Sequence, residues 1–240
     1  MEGATVSFGW PLGQPTCAQA PRPRQLSGSR RSLSTRLCFA AMSFSENFLA
    51  ETSEIASVLP AEELDSMAAA LAAVRDTGGR LFILGVGGGA AHASHAVNDF
   101  RKICHFEAYT PVDNVAEITA RTNDEGWETT FAAWLKTSRL SADDAVLVFS
   151  VGGGSREHAV SMNIVLALEL AQSVGAGIYA VVGSADGTAA ELADVCIVIP
   201  APPERRTPHV EAFQAIVWHL LVSHPALAAQ AGKWESISGA

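Results

Sequence analysis

From residue 43 onward the apolar positions change period as the chain advances. "SFSENFLAETSEIASVL" spaces Phe44, Phe48, Leu49, Ile55 and Leu59 along a helical face and stops at Pro60. It predicts a helix with Ser43 or Ser45 as N-cap. "AEELDSMAAALAAVRDTGG" predicts a second, Ala-rich helix closed by Gly78 and Gly79. "RLFILG" then breaks the helical period with a short continuous apolar run, the mark of a buried strand. That mark returns in "DAVLVFSV" (144–151), "GIYAVVG" (177–183) and "DVCIVIP" (194–200). Helical stretches over 90–103, about 126–139 and 155–174 separate most of these runs. A last helix over about 208–224 follows Thr207 and Pro208, a good N-cap and N1 pair.

Strands alternating with helices imply right-handed crossovers and a parallel sheet covered on both faces. The predicted fold is therefore an α/β three-layer sandwich, Rossmann-like, with a parallel sheet flanked by helices and preceded by N-terminal helices. In such sheets ligands bind beyond the carboxyl ends of the strands. Two strands here end in glycine clusters, "LGVGGGAAH" and "FSVGGGSREH".

Neither cluster completes a nucleotide motif. Gly85-Val86-Gly87 is followed by Ala90 where GxGxxG needs its third glycine, and no acid closes a second strand ~20 residues on. No Gly-Lys-Ser/Thr follows, which excludes a P-loop. The second cluster places Ser150 and Ser155 around Gly152, Gly153 and Gly154 ahead of a predicted helix. Free N–H groups at a helix start, with hydroxyl donors beside them, suit an anion without any lysine. For one such loop a plain turn with Ser155 as N-cap is the better reading; two loops on one sheet edge point to a phosphate.

Composition narrows the partners. The 240 residues, 48% of them apolar, are enough for one domain with a real core. The formal charge of -9 argues against a nucleic-acid partner, since neutralising phosphates takes clustered Lys and Arg. No apolar run reaches the ~18 residues of a membrane span. Cys17, Cys38, Cys104 and Cys196 show no CxxC spacing and fit reduced thiols in a cytoplasmic protein. Residues 1–41 hold five arginines against one acid, and "APRPRQLSGSRRSLSTRLCFAA" has no apolar period. This stretch is expected to be a disordered leader, either an organelle transit segment or sequence upstream of a start at Met42. The domain is expected over 42–225, with a tail over 226–240.

The glycine loop, the helix with His95 and Asp99, the Ser/Gly loop and the histidine in the last helix together resemble the SIS (sugar isomerase) domain. Within it the chain is most similar to the phosphoheptose isomerase branch, over roughly residues 43–225. That branch converts sedoheptulose 7-phosphate to D-glycero-D-manno-heptose 7-phosphate. The resemblance places the family's substrate-binding positions on Gly87, Gly88, Gly89, Asn123, Asp124, Ser150, Gly152 and Ser155. It places the family's catalytic acid and histidine on Asp99 and His219, and a divalent metal, zinc, on His95, Asp99, Glu211 and His219. In the first loop Val86 and Gly89 stand where the family has asparagine and serine, and the second loop keeps only its outer serines. Asp99 replaces a glutamate and Glu211 a glutamine.

His95 and Asp99 are i and i+4, so one helix face presents both, as a metal pair or a base with its orienting partner. His92 is one turn earlier and is expected to be structural. Asp124 is expected in a loop. His158 and His209 are expected at the surface or as caps, and Trp127, Trp134 and Trp218 in core or interface. Glu211 and His219 are about 12 Å apart on a regular helix, so they share a site only through a bend or through different subunits. The resemblance implies proton transfer between adjacent carbons through a cis-enediolate, with Asp99 as base and His219 as shuttle, in a homo-oligomer (dimer or tetramer). A non-catalytic SIS module that binds a phosphosugar or a protein partner is the alternative.

Overall fold

The structure, a computed structural model, describes residues 42–233 and 236. The expected leader, with Cys17 and Cys38, lies outside the described residues. Two helices open the domain, α1 (Phe44–Ser57) and α2 (Ala61–Asp76). Ser43 caps α1 in a reciprocal box: its hydroxyl accepts from the Glu46 amide at 3.2 Å, and Glu46 Oε2 accepts from the Ser43 amide at 2.7 Å. The chain then runs β1 (Leu81–Gly85), α3 (Gly88–Cys104), β2 (Ala108–Tyr109), α4 (Val115–Glu125), α5 (Thr130–Thr137) and β3 (Ala145–Ser150). It closes with α6 (Met162–Val174), β4 (Gly177–Val182), α7 (Thr188–Leu192), β5 (Val195–Val198) and α8 (Arg206–Ser223).

The five strands form one wholly parallel sheet in the order β2-β1-β3-β4-β5. Alternate strand residues feed two cores, which is why the strands read as unbroken apolar runs. Leu81, Ile83, Leu147, Phe149 and Val181 pack with α2, α3 and α8, whereas Phe82, Leu84, Val146, Val148 and Val182 pack with α5, α6 and α7. The three-layer α/β fold expected from the sequence is therefore present.

The differences are local. Strand β2 is two residues long and pairs only with Leu81 and Phe82, too little to leave a signature. The helix expected over about 126–139 is a short 3-10 turn at Trp127–Thr129 followed by α5, and α4, a helix not expected, ends just before Gly126, whose φ of 88° suits glycine. Asn123 and Asp124 consequently lie on a helix rather than in a loop. Helix α3 starts at Gly88 instead of 90, and α8 at Arg206 instead of 208. The helix expected from 155 begins at Met162, because Ser155 and Val160 exchange backbone hydrogen bonds in a small antiparallel bridge.

His209 departs furthest from expectation. It is fully buried, its Nε2 lies 2.9 Å from Glu51 Oε2, and Phe48 stacks on its ring at 4.3 Å. The Arg205 guanidinium, with His209 behind it, holds the Glu51 carboxyl down at about 2, so this cluster pins α1 to the start of α8. Beyond residue 225 the chain still packs on the domain. Leu227 is buried, its carbonyl accepts from Arg75 at 2.6 Å, and the Ala229 amide donates to Ile103 at 2.9 Å.

Candidate active site

The sheet order reverses between β1 and β3: from β1 the chain moves outward to β2, and from β3 it moves the other way to β4. Such a switch point opens a crevice at the carboxyl ends of the two strands. Both glycine loops leave from it. Gly89 shows how tightly they meet, since a Cβ there would lie 2.5 Å from the Phe149 carbonyl oxygen at the end of β3. Gly87 caps α3 with a φ of 60°, a conformation that L side chains rarely adopt.

A recess of about 270 Å³ occupies the crevice, lined by Val86, Gly89, Phe149, Ser150, Val151, Gly152, Val160, Ser161, Glu211 and Gln214. Gly89, Ser150 and Gly152 are thus where the sequence reading puts them. Ser150 Oγ accepts from the Gly153 amide at 3.0 Å, which leaves its own hydrogen to donate. Gly87 and Gly88 form the turn into α3 and are not among the lining residues. Ser155 is not in the recess either: its hydroxyl accepts from the His158 amide at 3.2 Å inside the bridged loop. The serine that does line it, just ahead of α6, is Ser161. Asn163, two residues on, is fully buried and neither end of its amide has a hydrogen-bond partner within the protein. Asn123 and Asp124 are exposed on α4 with the Asn123 amide donating to Asp124 at 2.7 Å, away from this recess. A second hollow of about 260 Å³ between α1 and Pro200–Pro202 has acids and apolar groups in its wall but no convergent donors.

The other chemistry sits where α3 packs along α8. His95 Nε2 and His219 Nε2 lie 3.4 and 3.6 Å from the same oxygen, Asp99 Oδ2. The three ligand atoms are all within 4.8 Å of one another. Asp99 is buried, whereas the two imidazoles are more than half exposed. His219 Nδ1 lies 2.8 Å from the Ala215 carbonyl, one helical turn earlier. A carbonyl only accepts, so the ring proton of neutral His219 is on Nδ1 and the Nε2 lone pair faces Asp99. Two imidazole nitrogens and a carboxylate converging on one point fit a proton or a divalent cation. Cys104, five residues past Asp99, is not a nucleophile in this environment: burial pushes its thiol up to about 11, with only partial opposition from Arg75.

Glu211 does not join this cluster, contrary to its expected place as a fourth ligand. α8 runs as one helix from Arg206 to Ser223, so eight residues separate Glu211 from His219. Glu211 instead faces the first loop, where a Cβ on Gly88 would come within 2.5 Å of its carboxylate carbon. The recess and the triad therefore occupy successive turns of α8. Gln214, His92 and Trp218 link them. His92 Nδ1 is 3.0 Å from Gln214 Oε1, the His92 ring lies 5.1 Å from Trp218, and the Trp218 Nε1–H donates to Asp99 Oδ2 at 3.2 Å. The sequence offered a signal for two of these: His92 and Gln214 each fall three residues from a site position on their own helix, whereas Trp218 only adjoins His219.

No protein-family model matches the chain. Lincomycin biosynthesis protein LmbN of Streptomyces lincolnensis is 32% identical over 190 residues, 74% of this chain and 67% of that protein. Phosphoheptose isomerase of Aneurinibacillus thermoaerophilus is 25% identical over 174 residues, 69% of this chain and 83% of the relative. The solved phosphoheptose isomerase of Francisella tularensis shares the fold with a TM-score of 0.64 at 22% identity, over 75% of this chain and 92% of that one. With the switch-point crevice and its paired glycine loops, these likenesses decide the family: the chain belongs to the SIS-domain, phosphoheptose isomerase-like family of phosphosugar isomerases.

Proposed function

We propose that the chain is an aldose–ketose isomerase of a seven-carbon sugar phosphate, interconverting sedoheptulose 7-phosphate and D-glycero-D-manno-heptose 7-phosphate. The observation that carries the reading is the convergence of His95, Asp99 and His219 on one point, beside a recess of hydroxyls and glycine amides at the sheet's switch point. Ser150, Ser161 and the Gly152 backbone receive the phosphate, and Glu211 at the mouth of α3 accepts from sugar hydroxyls. The named activity of the phosphoheptose isomerase relatives supports the substrate class.

In the ketose-to-aldose direction Asp99 takes the proton from C1, the electron pair forms the C1–C2 double bond, and charge gathers on O2. His219, with Nε2 free, takes the O1 proton and delivers it to O2. The proton on Asp99 returns to C2, leaving the aldehyde at C1. The triad's donor set fits zinc, with His95, Asp99 and His219 as its ligands and Glu211 outside the set. Bound there, the metal would take up the Nε2 lone pair of His219 and would polarise the carbonyl oxygen in place of that proton shuttle.

The same proposal includes a homo-oligomer, dimer or tetramer, acting in the cytoplasm. The exposed imidazoles support it, because an enediolate needs shielding from water and one chain leaves that side open. No helix among the described residues is long and apolar enough to cross a membrane. The test is a screen of pentose to octose phosphates in deuterated buffer, with and without chelator. Turnover with solvent deuterium at C1 or C2 of a heptose phosphate is expected. Turnover confined to another chain length moves the substrate. Binding without exchange makes the chain a sensing module.

A further inference from the structure

We propose that Trp218 is a positioning residue that aims the Asp99 carboxylate for proton transfer. The proposal rests on the isomerase reading only through its assignment of Asp99. The indole Nε1–H donates to Asp99 Oδ2 at 3.2 Å, and the Asn98 amide donates to Oδ1 at 2.9 Å. One donor comes from the neighbouring helix and one from the same helix, so the plane of the carboxylate is set from both sides. Oδ2 is also the oxygen that faces both imidazoles. Trp218 therefore holds the oxygen that does the chemistry.

The indole suits this task. It is a donor only, so it orients a carboxylate without competing for the proton that the carboxylate must take and return. Its ring is itself fixed, 2% exposed and packed 5.8 Å from Phe149 and 5.1 Å from His92. His92 is tied to Gln214, whose amide donates to the Val181 carbonyl in β4 at 3.2 Å. The carboxylate is thus referenced, through Trp218, to the sheet. Satisfying a buried indole does not explain the pairing, because a neutral carbonyl would serve without burying a carboxylate. Aspartate has less reach than the glutamate of the resembling family but also one fewer torsion to freeze. Its aim depends on a neighbour, and Trp218 is that neighbour.

Trp218→Phe removes the N–H and keeps an aromatic ring in the core. In the full-length protein kcat for isomerisation and C1 exchange is expected to fall by about ten- to a hundred-fold, with KM for the sugar phosphate within about two-fold. The second readout is the indole N–H resonance of Trp218 in protein labelled with 15N-tryptophan. Asp99→Asn, which removes the charge at nearly constant shape, is expected to move it. An unchanged kcat in folded Trp218→Phe, or a loss confined to KM, overturns the proposal. Should Trp218→Phe fail to fold, the resonance decides: a signal unmoved by Asp99→Asn overturns it and a displaced one supports it. A parent protein that neither turns over nor exchanges any sugar phosphate is a different result; it sinks the isomerase reading, and is seen before any variant is made.

Discussion

His219 meets Asp99 with its Nε2 3.6 Å from Oδ2, while its Nδ1 is committed to the Ala215 carbonyl. In the neutral ring two lone pairs face each other across that gap. Only a shared proton or a cation joins two such acceptors, so the pair is built to take one up. Asp99→Asn is therefore expected to cut turnover by at least ~10²-fold, the scale of a lost general base, and to abolish solvent exchange at C1. His219→Gln should lower turnover similarly while sugar phosphate binding persists, since the recess is lined by other residues. Calorimetric binding beside proton NMR of the exchanging position checks both.

The cation reading separates His95 from Glu211. His95→Ala deletes one of three converging ligand atoms and should weaken zinc binding at least about ten-fold. Glu211→Gln, outside the triad, should leave zinc affinity unchanged and raise KM instead. Metal analysis after dialysis against graded chelator distinguishes them. Equal metal loss in the two variants would place Glu211 back among the ligands.

The two serines of the second loop should behave differently. Ser161→Ala removes a hydroxyl from the recess wall and is expected to weaken sugar phosphate binding by about 1–2 kcal/mol, the scale of a hydrogen bond to a charged group. Ser155→Ala removes a local turn contact to His158 and should leave affinity alone. The reverse ranking in a titration would restore the sequence-based placement.

Glycines of the crevice divide the same way between folding and binding. Gly89→Ala drives a methyl to within 2.5 Å of the Phe149 carbonyl and should destabilise by about 2 kcal/mol. At Gly152 a Cβ meets nothing within 4 Å, so Gly152→Ala should keep its melting temperature and lose affinity. Thermal melts with and without the sugar phosphate read both effects.

Arg80 and Asp144 give a pH signature at the opposite end of the sheet. Burial alone pushes the Asp144 carboxyl up, but hydrogen bonds from the Arg80 guanidinium and the Ser141 and Arg80 amides outweigh it and hold it below the usual range. The resulting stabilisation is present above the unfolded value of about 3.9 and is lost as pH falls through the lowered native one. Arg80→Leu should cost about 2 kcal/mol at pH 7, with the deficit shrinking as the carboxyl protonates. Urea melts at neutral and acidic pH test the sign.

The strands were legible because burial on both faces leaves short runs such as "VLVF" and "YAVV", β-branched and bounded by turn residues. The i, i+4 pair of His95 and Asp99 was equally plain. What failed was long-range or weakly patterned. His209 finds Glu51 158 residues away, so its burial has no local trace. "SREHAV" has no helical apolar period, and the chain there makes a bridged turn before α6 begins at Met162. Helix α4 buries none of its residues, which is why "TNDEGW" resembles a loop. The approach of His219 to Asp99 depends on how α3 crosses α8; only the family resemblance put the two together.

Because α8 carries both the recess and the triad, it acts as a ruler whose graduations cannot be altered. One residue inserted between Gln214 and His219 would swing the histidine by about 100° around the axis and carry Val217 and Trp218 out of their seats. Adaptation to a longer or shorter sugar by insertion or deletion is therefore closed to that helix. It is open at the opposite wall, where Val160 and Ser161 end a bridged loop with room to lengthen. Chain-length preference among such enzymes should thus be written in the span between Ser155 and Met162.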